Sequence, residues 1–499
     1  MTPETIIIQA GGKGTRMDYL TENKPKALVP IRNLPMIFHL FQKYPDRKYV
    51  VIGDYKIDVL RKYLNAFCKV DYTIVSATGH TGTCAGIAAA LECVPQNTPL
   101  MLIWSDLVLP DEFSFPTEEG NYVGLSKDFP CRWKYEDGTF QEERSQKFGV
   151  AGFFLFQNKD VLKDVPWEGE FVRWLCEQKI SFRDLPLYRT REYGLLEKYL
   201  ELSLQRCRPF NRLTVEQDCI VKEGIDEQGK MLAIREKAWY EKVRNMHFAN
   251  IPEIYSLSPL KMEKIDGRNI FEYCLEQKDK KKILADIIAC LKSVQQLGSC
   301  PANLESYRQA YIGKTFDRLN KVRDLVPFAN DETVVINDKT CRNIFYQREA
   351  VEKKILQFYP KHFSFIHGDC TFSNILLKNG TTPVLIDPRG YFGYTEFYGD
   401  PAYDWAKLYY SVVGNYDQFN LKRFRLHIGE DSVKLEIESN HWEDMEAEFF
   451  SLLKNDVSEE QIRLIHAIIW LSLTTYAWEN YDSVCGAFYN GLYYLEDIL

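Results

Sequence analysis

Gln9-Ala10-Gly11-Gly12-Lys13-Gly14-Thr15-Arg16-Met17 follows the apolar run Ile6-Ile7-Ile8 and precedes Lys24-Pro25-Lys26-Ala27-Leu28-Val29-Pro30-Ile31. A short β-rich run that breaks at glycines and then turns helical opens a β-α unit. Glycines let the backbone approach a phosphate closely, and the amides of the next turn, with the charges of Lys13 and Arg16, suit anionic oxygens. The spacing is neither GxxxxGK[ST] nor GxGxxG, so both of those loops are excluded. Outward from this stretch, strand patterns over Ile6–Gln9, Tyr49–Gly53, Tyr72–Val75 and Leu100–Trp104 alternate with helical patterns over Leu34–Lys43, Lys56–Phe67 and Gly82–Glu92. The alternation predicts an α/β domain with a Rossmann-like, mostly parallel sheet and ligands at the carboxyl ends of its strands. Val150–Phe156 adds a strand, Tyr193–Leu204 reads as a closing helix, and a domain boundary is placed near Arg206–Asn211, around Pro209.

The chain is 499 residues long, which exceeds one ordinary core and predicts a fusion. With 45% hydrophobic and 26% charged residues it has the composition of a folded soluble protein. A formal net charge of -8 argues against a nucleic-acid partner. The thirteen cysteines lack CxxC spacing and are odd in number, so neither a disulfide framework nor a structural zinc site is expected. Met1 runs directly into the first strand, leaving no room for a signal peptide. The late apolar segment Ile462–Trp478 carries Arg463 and His466 and is too short to span a bilayer, so it reads as a buried helix. A cytoplasmic enzyme without membrane insertion is expected, its oligomeric state left open.

Beyond the boundary the rhythm changes. Short strands are predicted over Asp218–Glu223, Lys230–Ile234 and Leu260–Ile265, with a helix over Glu236–Met246. From Lys280 the pattern is mostly helical, interrupted by Phe363–His367 and Val384–Asp387. A small β-rich lobe, residues 206–266, followed by a large helical lobe, residues 267–499, gives an α+β nucleotide clamp behind the α/β domain of residues 1–205. Within the large lobe, Phe365-Ile366-His367-Gly368-Asp369-Cys370-Thr371-Phe372-Ser373-Asn374 precedes Leu385-Ile386-Asp387-Pro388-Arg389-Gly390. Phosphoryl transfer uses one Asp to accept the attacking hydroxyl's proton and an Asn and a second Asp to hold magnesium. Asn374 follows Asp369 by 5 positions and Asp387 follows Asn374 by 13, the intervals of a kinase catalytic loop and metal loop.

The N-terminal GGxGTR and PKxLxPI segments resemble those of the sugar-phosphate and phosphocholine nucleotidyltransferases, over roughly residues 1 to 205. The resemblance implies that Gly11, Gly12, Gly14 and Arg16 hold a nucleoside triphosphate and that Lys26 neutralises charge as a phosphate monoester attacks the α-phosphorus. It also places Gly82 and Thr83, in the loop from Gly79 to Gly86, beside the nucleobase, and makes Asp106, after Trp104-Ser105, a magnesium ligand. One departure stands out: in Leu187-Tyr188-Arg189-Thr190-Arg191-Glu192, Leu187 occupies the position of the family's second metal-binding Asp. Asp184 in a shifted strand, Asp106 alone with the triphosphate, or loss of catalysis in this half are the three readings of that change.

The HGDxxxxN and IDPRG segments resemble the aminoglycoside phosphotransferase and choline kinase superfamily, over roughly residues 207 to 499. This implies Asp369 as catalytic base, Asn374 and Asp387 as magnesium ligands, Lys222 as the ATP-phosphate lysine and Glu236 as its helix partner. Met262-Glu263-Lys264-Ile265 reads as a hinge near the adenine, Asp404 as a brace for the catalytic loop, and His367 as a loop-stabilising residue. No protein-kinase HRD or APE is present, so a small-molecule acceptor follows. Tyr409, Tyr410, Tyr416, Trp470, Tyr476 and Trp478 suit either a quaternary-ammonium cage or, as burial favours, a core.

Together the halves predict a bifunctional enzyme with Mg2+, ATP and a second NTP, CTP favoured. A choline- or ethanolamine-like alcohol would be phosphorylated and converted to an NDP-activated product for surface glycan or lipid synthesis, such as a capsule polysaccharide. An anomeric sugar kinase with a sugar-1-phosphate nucleotidyltransferase is the first alternative. A kinase with a non-catalytic, regulatory nucleotide-binding domain is the second.

Overall fold

A computed structural model describes residues 1–202 and 211–499. The chain separates into two compact units, one of Met1–Leu204 with Glu479–Tyr481 and one of Gln205–Trp478 with Asp482–Leu499. The boundary expected around Pro209 and the expected helix end at Leu204 lie outside the described residues. No helix among the described residues is long and apolar enough to cross a membrane, and the described cysteines form no disulfide.

In the first unit a seven-stranded sheet runs, edge to edge, Arg183–Leu187, Tyr122–Ser126, Val150–Phe156, Leu100–Trp104, Thr5–Gln9, Lys48–Gly53 and Tyr72–Ser76. All neighbours pair in parallel except Val150–Phe156, which is antiparallel to both of its partners. The central strands are buried on both faces, which is why Ile6-Ile7-Ile8 and Phe153-Phe154-Leu155-Phe156 are continuous apolar runs instead of alternating ones. Helices Met36–Lys43, Ile57–Phe67 and Cys84–Glu92 make the crossovers. Register aligns Gln9 with Ile52 and with Trp104, so the loops after those strands emerge at one edge of the sheet. The closing helix is shorter than its pattern suggests, Leu196–Leu200.

In the second unit four antiparallel strands are ordered Asn211–Val215, Cys219–Gly224, Leu260–Glu263, Ile254–Leu257. The strand expected over Lys230–Ile234 is instead part of the helix Glu227–Asn245. Asp226 caps that helix by accepting from Gly229 N at 2.7 Å, and the apolar Met231 and Ile234 point to solvent, so nothing favours a buried strand there. The large lobe is built on the helices Gln277–Gln295, Lys314–Val322, Pro401–Val412 and Glu459–Leu473. It also holds a four-stranded sheet that the helical reading missed, ordered Lys339–Arg342, Thr333–Ile336, Ser432–Ile437, Phe424–Ile428. Its strands are short, and much of each faces solvent, which weakens any apolar pattern.

Phe154 anchors the first unit. Its ring meets those of Trp104, Phe156, Phe171 and Phe182 at centroid distances of 5.6 to 6.2 Å. Phe154→Ala should lower stability by about 3–5 kcal/mol, read as a lower denaturant midpoint with an unchanged m-value; a loss under about 1 kcal/mol would contradict this packing.

Candidate active sites

In the first unit the glycine loop leaves the first strand and enters a short helical turn, Thr15–Thr21. Gly14 has φ 67°, and a Cβ there would fall 3.0 Å from Lys26 Cβ, so only glycine lets this loop lie against Lys26. Lys13 and Arg16 are exposed, and among the described residues neither meets a carboxylate. Lys26 is nearly buried and is ion-paired to Asp106. The structure therefore gathers Gly11, Gly12, Gly14, Lys26 and Asp106 at the carboxyl edge of the sheet, with Arg16 on its rim.

Gly82 and Thr83 lie after a neighbouring strand. Gly82 has φ 85° and a Cβ on it would stand 2.1 Å from Gly169 O. The Thr83 hydroxyl accepts from Phe171 N at 2.9 Å, so it braces the loop against residues 169–171.

Leu187 is buried in its strand against Gly124 and offers no oxygen. Asp184 sits toward the amino end of the same strand, away from the site edge. The carboxylate that does reach the site is Glu192, which sequence reasoning passed over. Its two-residue strand, Arg191–Glu192, pairs with Leu107–Val108 directly after Asp106, and Tyr193 N donates to Asp106 O at 3.0 Å. A Cβ on Gly194 would lie 2.0 Å from Glu192 Oε1 and 3.1 Å from Lys26 Nζ, so the two charged groups flank one point. Lys198 donates to Glu192 Oε2 at 3.0 Å. The signal was an acidic residue two places past the Thr190 of the quoted segment; a shift from Asp to Glu further along hid it.

In the second unit Lys222, on the strand Cys219–Gly224, is buried between two carboxylates: Glu236 Oε2 at 2.8 Å and Asp387 Oδ1 at 2.8 Å. Burial disfavours its ammonium, yet Asp387 and then Glu236 hold it above the ordinary lysine range. Burial lifts the Glu236 carboxyl to about 7, with Lys222 pulling the other way. Asp387 itself is half exposed, with φ 55°, and Tyr240 OH accepts from its amide at 3.2 Å.

Asp369 and Asn374 meet directly: Asn374 Nδ2 donates to Asp369 O at 2.8 Å and to Asp369 Oδ2 at 3.2 Å. Ile386 N donates to Asn374 O at 2.9 Å, which ties the first loop to the second. Burial works against the Asp369 carboxylate, but Lys407 and then Arg389 hold it below the usual range. Lys407 Nζ stands 2.9 Å from Asp369 Oδ1. It was not foreseen, although it lies one helical turn after Asp404 and so shares its face.

Asp404 is fully buried and accepts from His367 N at 2.9 Å and Gly368 N at 2.7 Å. Burial raises its carboxyl to about 6 against those two bonds. His367 Nδ1 accepts from Asp369 N at 3.2 Å, so Nε2 carries the proton and donates to Ile386 O at 3.0 Å. Burial pushes this imidazole down to about 4, which keeps it neutral. Tyr409, Tyr410 and Trp470 are buried together; Trp470 Nε1 donates to His466 Nε2 at 3.0 Å. They are core, not a ligand cage.

The donors fit magnesium. It takes one or two carboxylates, with other oxygens from water and substrate phosphates. Asp387 and Asn374 offer oxygens in the second unit, and Asp106 and Glu192 in the first. Among the described residues no group of three or more His, Cys, Asp and Glu forms an all-protein cage.

Residues 6–113 match the family model of the MobA-like NTP transferase domain, and residues 225–433 that of the phosphotransferase enzyme family. The chain thus carries two transferase-family domains, of families that use nucleoside triphosphates and Mg2+. It is 27% identical over 168 residues to the bifunctional protein GlmU of Methanococcus maripaludis, across 30% of this chain and 40% of that protein. It is 30% identical over 110 residues to the CTP:phosphoglutamine cytidylyltransferase of Campylobacter jejuni, across 20% of this chain and 43% of the relative. The chain therefore spans less than half the length of these curated relatives. Among solved structures, the inositol-1-phosphate CTP transferase of T. maritima is similar with a TM-score of 0.34 and 16% identity, covering 39% of this chain and 91% of that one.

Asp404→Asn replaces an acceptor of two amides with a group that brings its own N–H donors into the same turn. The second unit should lose about 2 kcal/mol of stability, and phosphoryl transfer should fall about tenfold or more as Asp369 shifts. Thermal denaturation with steady-state ADP release reads both, and full activity at reduced stability would contradict the brace.

Proposed function

We propose that the second unit phosphorylates a small alcohol with ATP and that the first unit joins the resulting phosphate ester to a nucleoside monophosphate from a second triphosphate, with CTP favoured. The observation that carries this reading is the Lys222, Glu236 and Asp387 triad beside the Asp369 and Asn374 pair, in a chain that also carries the Lys26, Asp106 and Glu192 cluster. The likeness to a cytidylyltransferase from Campylobacter jejuni supports CTP.

In the kinase step Asp369 accepts the proton of the acceptor hydroxyl as the oxygen bonds to the γ-phosphorus and the bond to the β-bridging oxygen breaks, releasing ADP. Lys222 positions the ATP phosphates, and Glu236 holds Lys222. Asn374 and Asp387 would hold magnesium, which would neutralise charge on the phosphates. In the transferase step an oxygen of the phosphate ester bonds to the α-phosphorus of the NTP, and pyrophosphate leaves. Gly11, Gly12, Gly14 and Arg16 orient the triphosphate, and Lys26 faces the charge that grows at the α-phosphoryl oxygens. Asp106 and Glu192 would hold the metal here, with Glu192 in the role for which Leu187 is unfit. The product, an NDP-activated alcohol, is the donor class used in surface glycan and lipid synthesis.

Separate sites imply separable defects. Lys26→Ala should accumulate the phosphate ester, with pyrophosphate release reduced at least ~100-fold. Asp369→Asn should leave the alcohol untouched, yet form the NDP product from supplied phosphate ester, and mixing the two variants should restore the pathway. Mass spectrometry with each NTP in turn reads all three. If the wild type releases no pyrophosphate from any NTP with its own kinase product, the first unit is regulatory and the two-step reading falls.

A further inference from the structure

The charges beside Asp369 are lopsided. Lys314 and Arg318 stand one turn apart on the helix Lys314–Val322, so they share a face. Lys314 Nζ lies 5.6 Å from the centre of the Tyr403 ring, and Lys407 Nζ lies 6.0 Å from the same ring. Arg389 Nη1 donates to the Tyr403 hydroxyl at 3.0 Å. Arg318 stands 5.7 Å from the Tyr476 ring centre and donates to Ser472 O at 2.5 Å. Among the described residues, Asp369 is the one carboxylate within ion-pair reach of any of these four cations, and it is engaged by Lys407.

Lys314 and Arg318 are costly in a protein left to itself, because a cation withdrawn from water without a counter-charge is destabilising. Burial, with Arg389, Arg318 and Lys407 adding to it, drives the Lys314 ammonium well below its ordinary range, and Asp369 is the carboxylate that opposes the shift. The nucleotide end of the site already has Lys222, so these cations are not needed there. They also cover the tyrosine faces that an ammonium ligand would use: Lys314 and Lys407 sit over Tyr403, and Arg318 over Tyr476. The expectation of a choline- or ethanolamine-like acceptor does not fit this surface.

We propose that the alcohol phosphorylated at Asp369 is itself an anion, carrying a carboxylate or phosphate that docks on Lys314, Arg318 and Arg389. The inference rests on the kinase reading of the second unit and adds the acceptor's charge to it. Lys407 stays with Asp369, and the acceptor's anion supplies the counter-charge that the other three lack. A carboxylate and a phosphate monoester offer the same oxygens to this site, and the acceptor's hydroxyl is thereby directed toward Asp369.

The test uses the full chain with Mg2+ and ATP and four acceptors of similar size: glycerate, glycerol 3-phosphate, glycerol and choline. ADP release should occur with glycerate, with glycerol 3-phosphate or with both, which also separates the two anion sources, and should be at least ~10-fold weaker with glycerol and choline. Arg318→Gln should raise KM for the anionic acceptor ~10-fold or more while KM for ATP stays within about twofold. A preference for glycerol or choline, or an unchanged acceptor KM in Arg318→Gln, overturns the inference while leaving the kinase reading intact.

A second measurement holds even if none of the four is turned over. Lys314→Met removes a half-buried amine that no carboxylate among the described residues pairs, so its thermal midpoint should rise, where loss of a merely structural lysine would lower it. Inorganic phosphate, against chloride at matched ionic strength, should raise the midpoint of the wild type more than that of Lys314→Met. Equal shifts in the two proteins overturn the inference. Failure of the wild type to bind MgATP, or binding unaffected by Asp387→Ala, overturns the kinase reading and the inference with it.

Discussion

Residues 366–371, which carry Asp369, lie outside helix and strand, so every backbone donor buried there needs an acceptor from elsewhere. In the second unit that acceptor is Asp404. One carboxylate takes the amides of both His367 and Gly368, and it does so while burial resists its charge. From this pair of bonds the rest follows: His367 is held so that its ring spans from Asp369 N to Ile386 O, and Asn374 closes the same circuit from Asp369 to Ile386. Two loops separated by more than ten residues become one rigid assembly without regular secondary structure.

The first unit solves the same problem by a different route. Its loops are short and leave parallel strands whose register is set by the alternation of strand and helix, so their starting points are fixed by the sheet. What the sheet leaves open, close backbone contact settles. Gly14 lies against Lys26, and the bond between Tyr193 N and Asp106 O brings Glu192 beside them from a segment 86 positions further along the chain than Asp106.

Much of this was legible in the sequence. The strand and helix rhythm of the first unit and the intervals between Asp369, Asn374 and Asp387 are carried by short stretches of chain, whereas the bracing role of Asp404, 36 positions past Gly368, came from the family resemblance. What escaped was non-local or statistically faint. The strand read into Lys230–Ile234 failed because a capped helix with an exposed apolar flank carries the same short hydrophobic run. The sheet of the large lobe escaped because half-exposed strands have weak patterns. Glu192 escaped because its place depends on a two-residue pairing that no periodicity records, and the gathering of Lys314, Arg318 and Arg389 joins elements far apart in the chain.

The ion pair between Lys26 and Asp106 has one more consequence. Each of these groups is the partner the other would surrender to a substrate, so the resting site is electrically closed. On the transferase reading proposed above, Lys26 turns to a phosphate as another cation takes over Asp106. Charge exchange then imposes an order of events: an incoming triphosphate unaccompanied by a cation finds the lysine already engaged, whereas one that arrives with its cation swaps partners without leaving any charge bare. On that reading the pair works as a latch that favours the metal-bound form of the nucleotide.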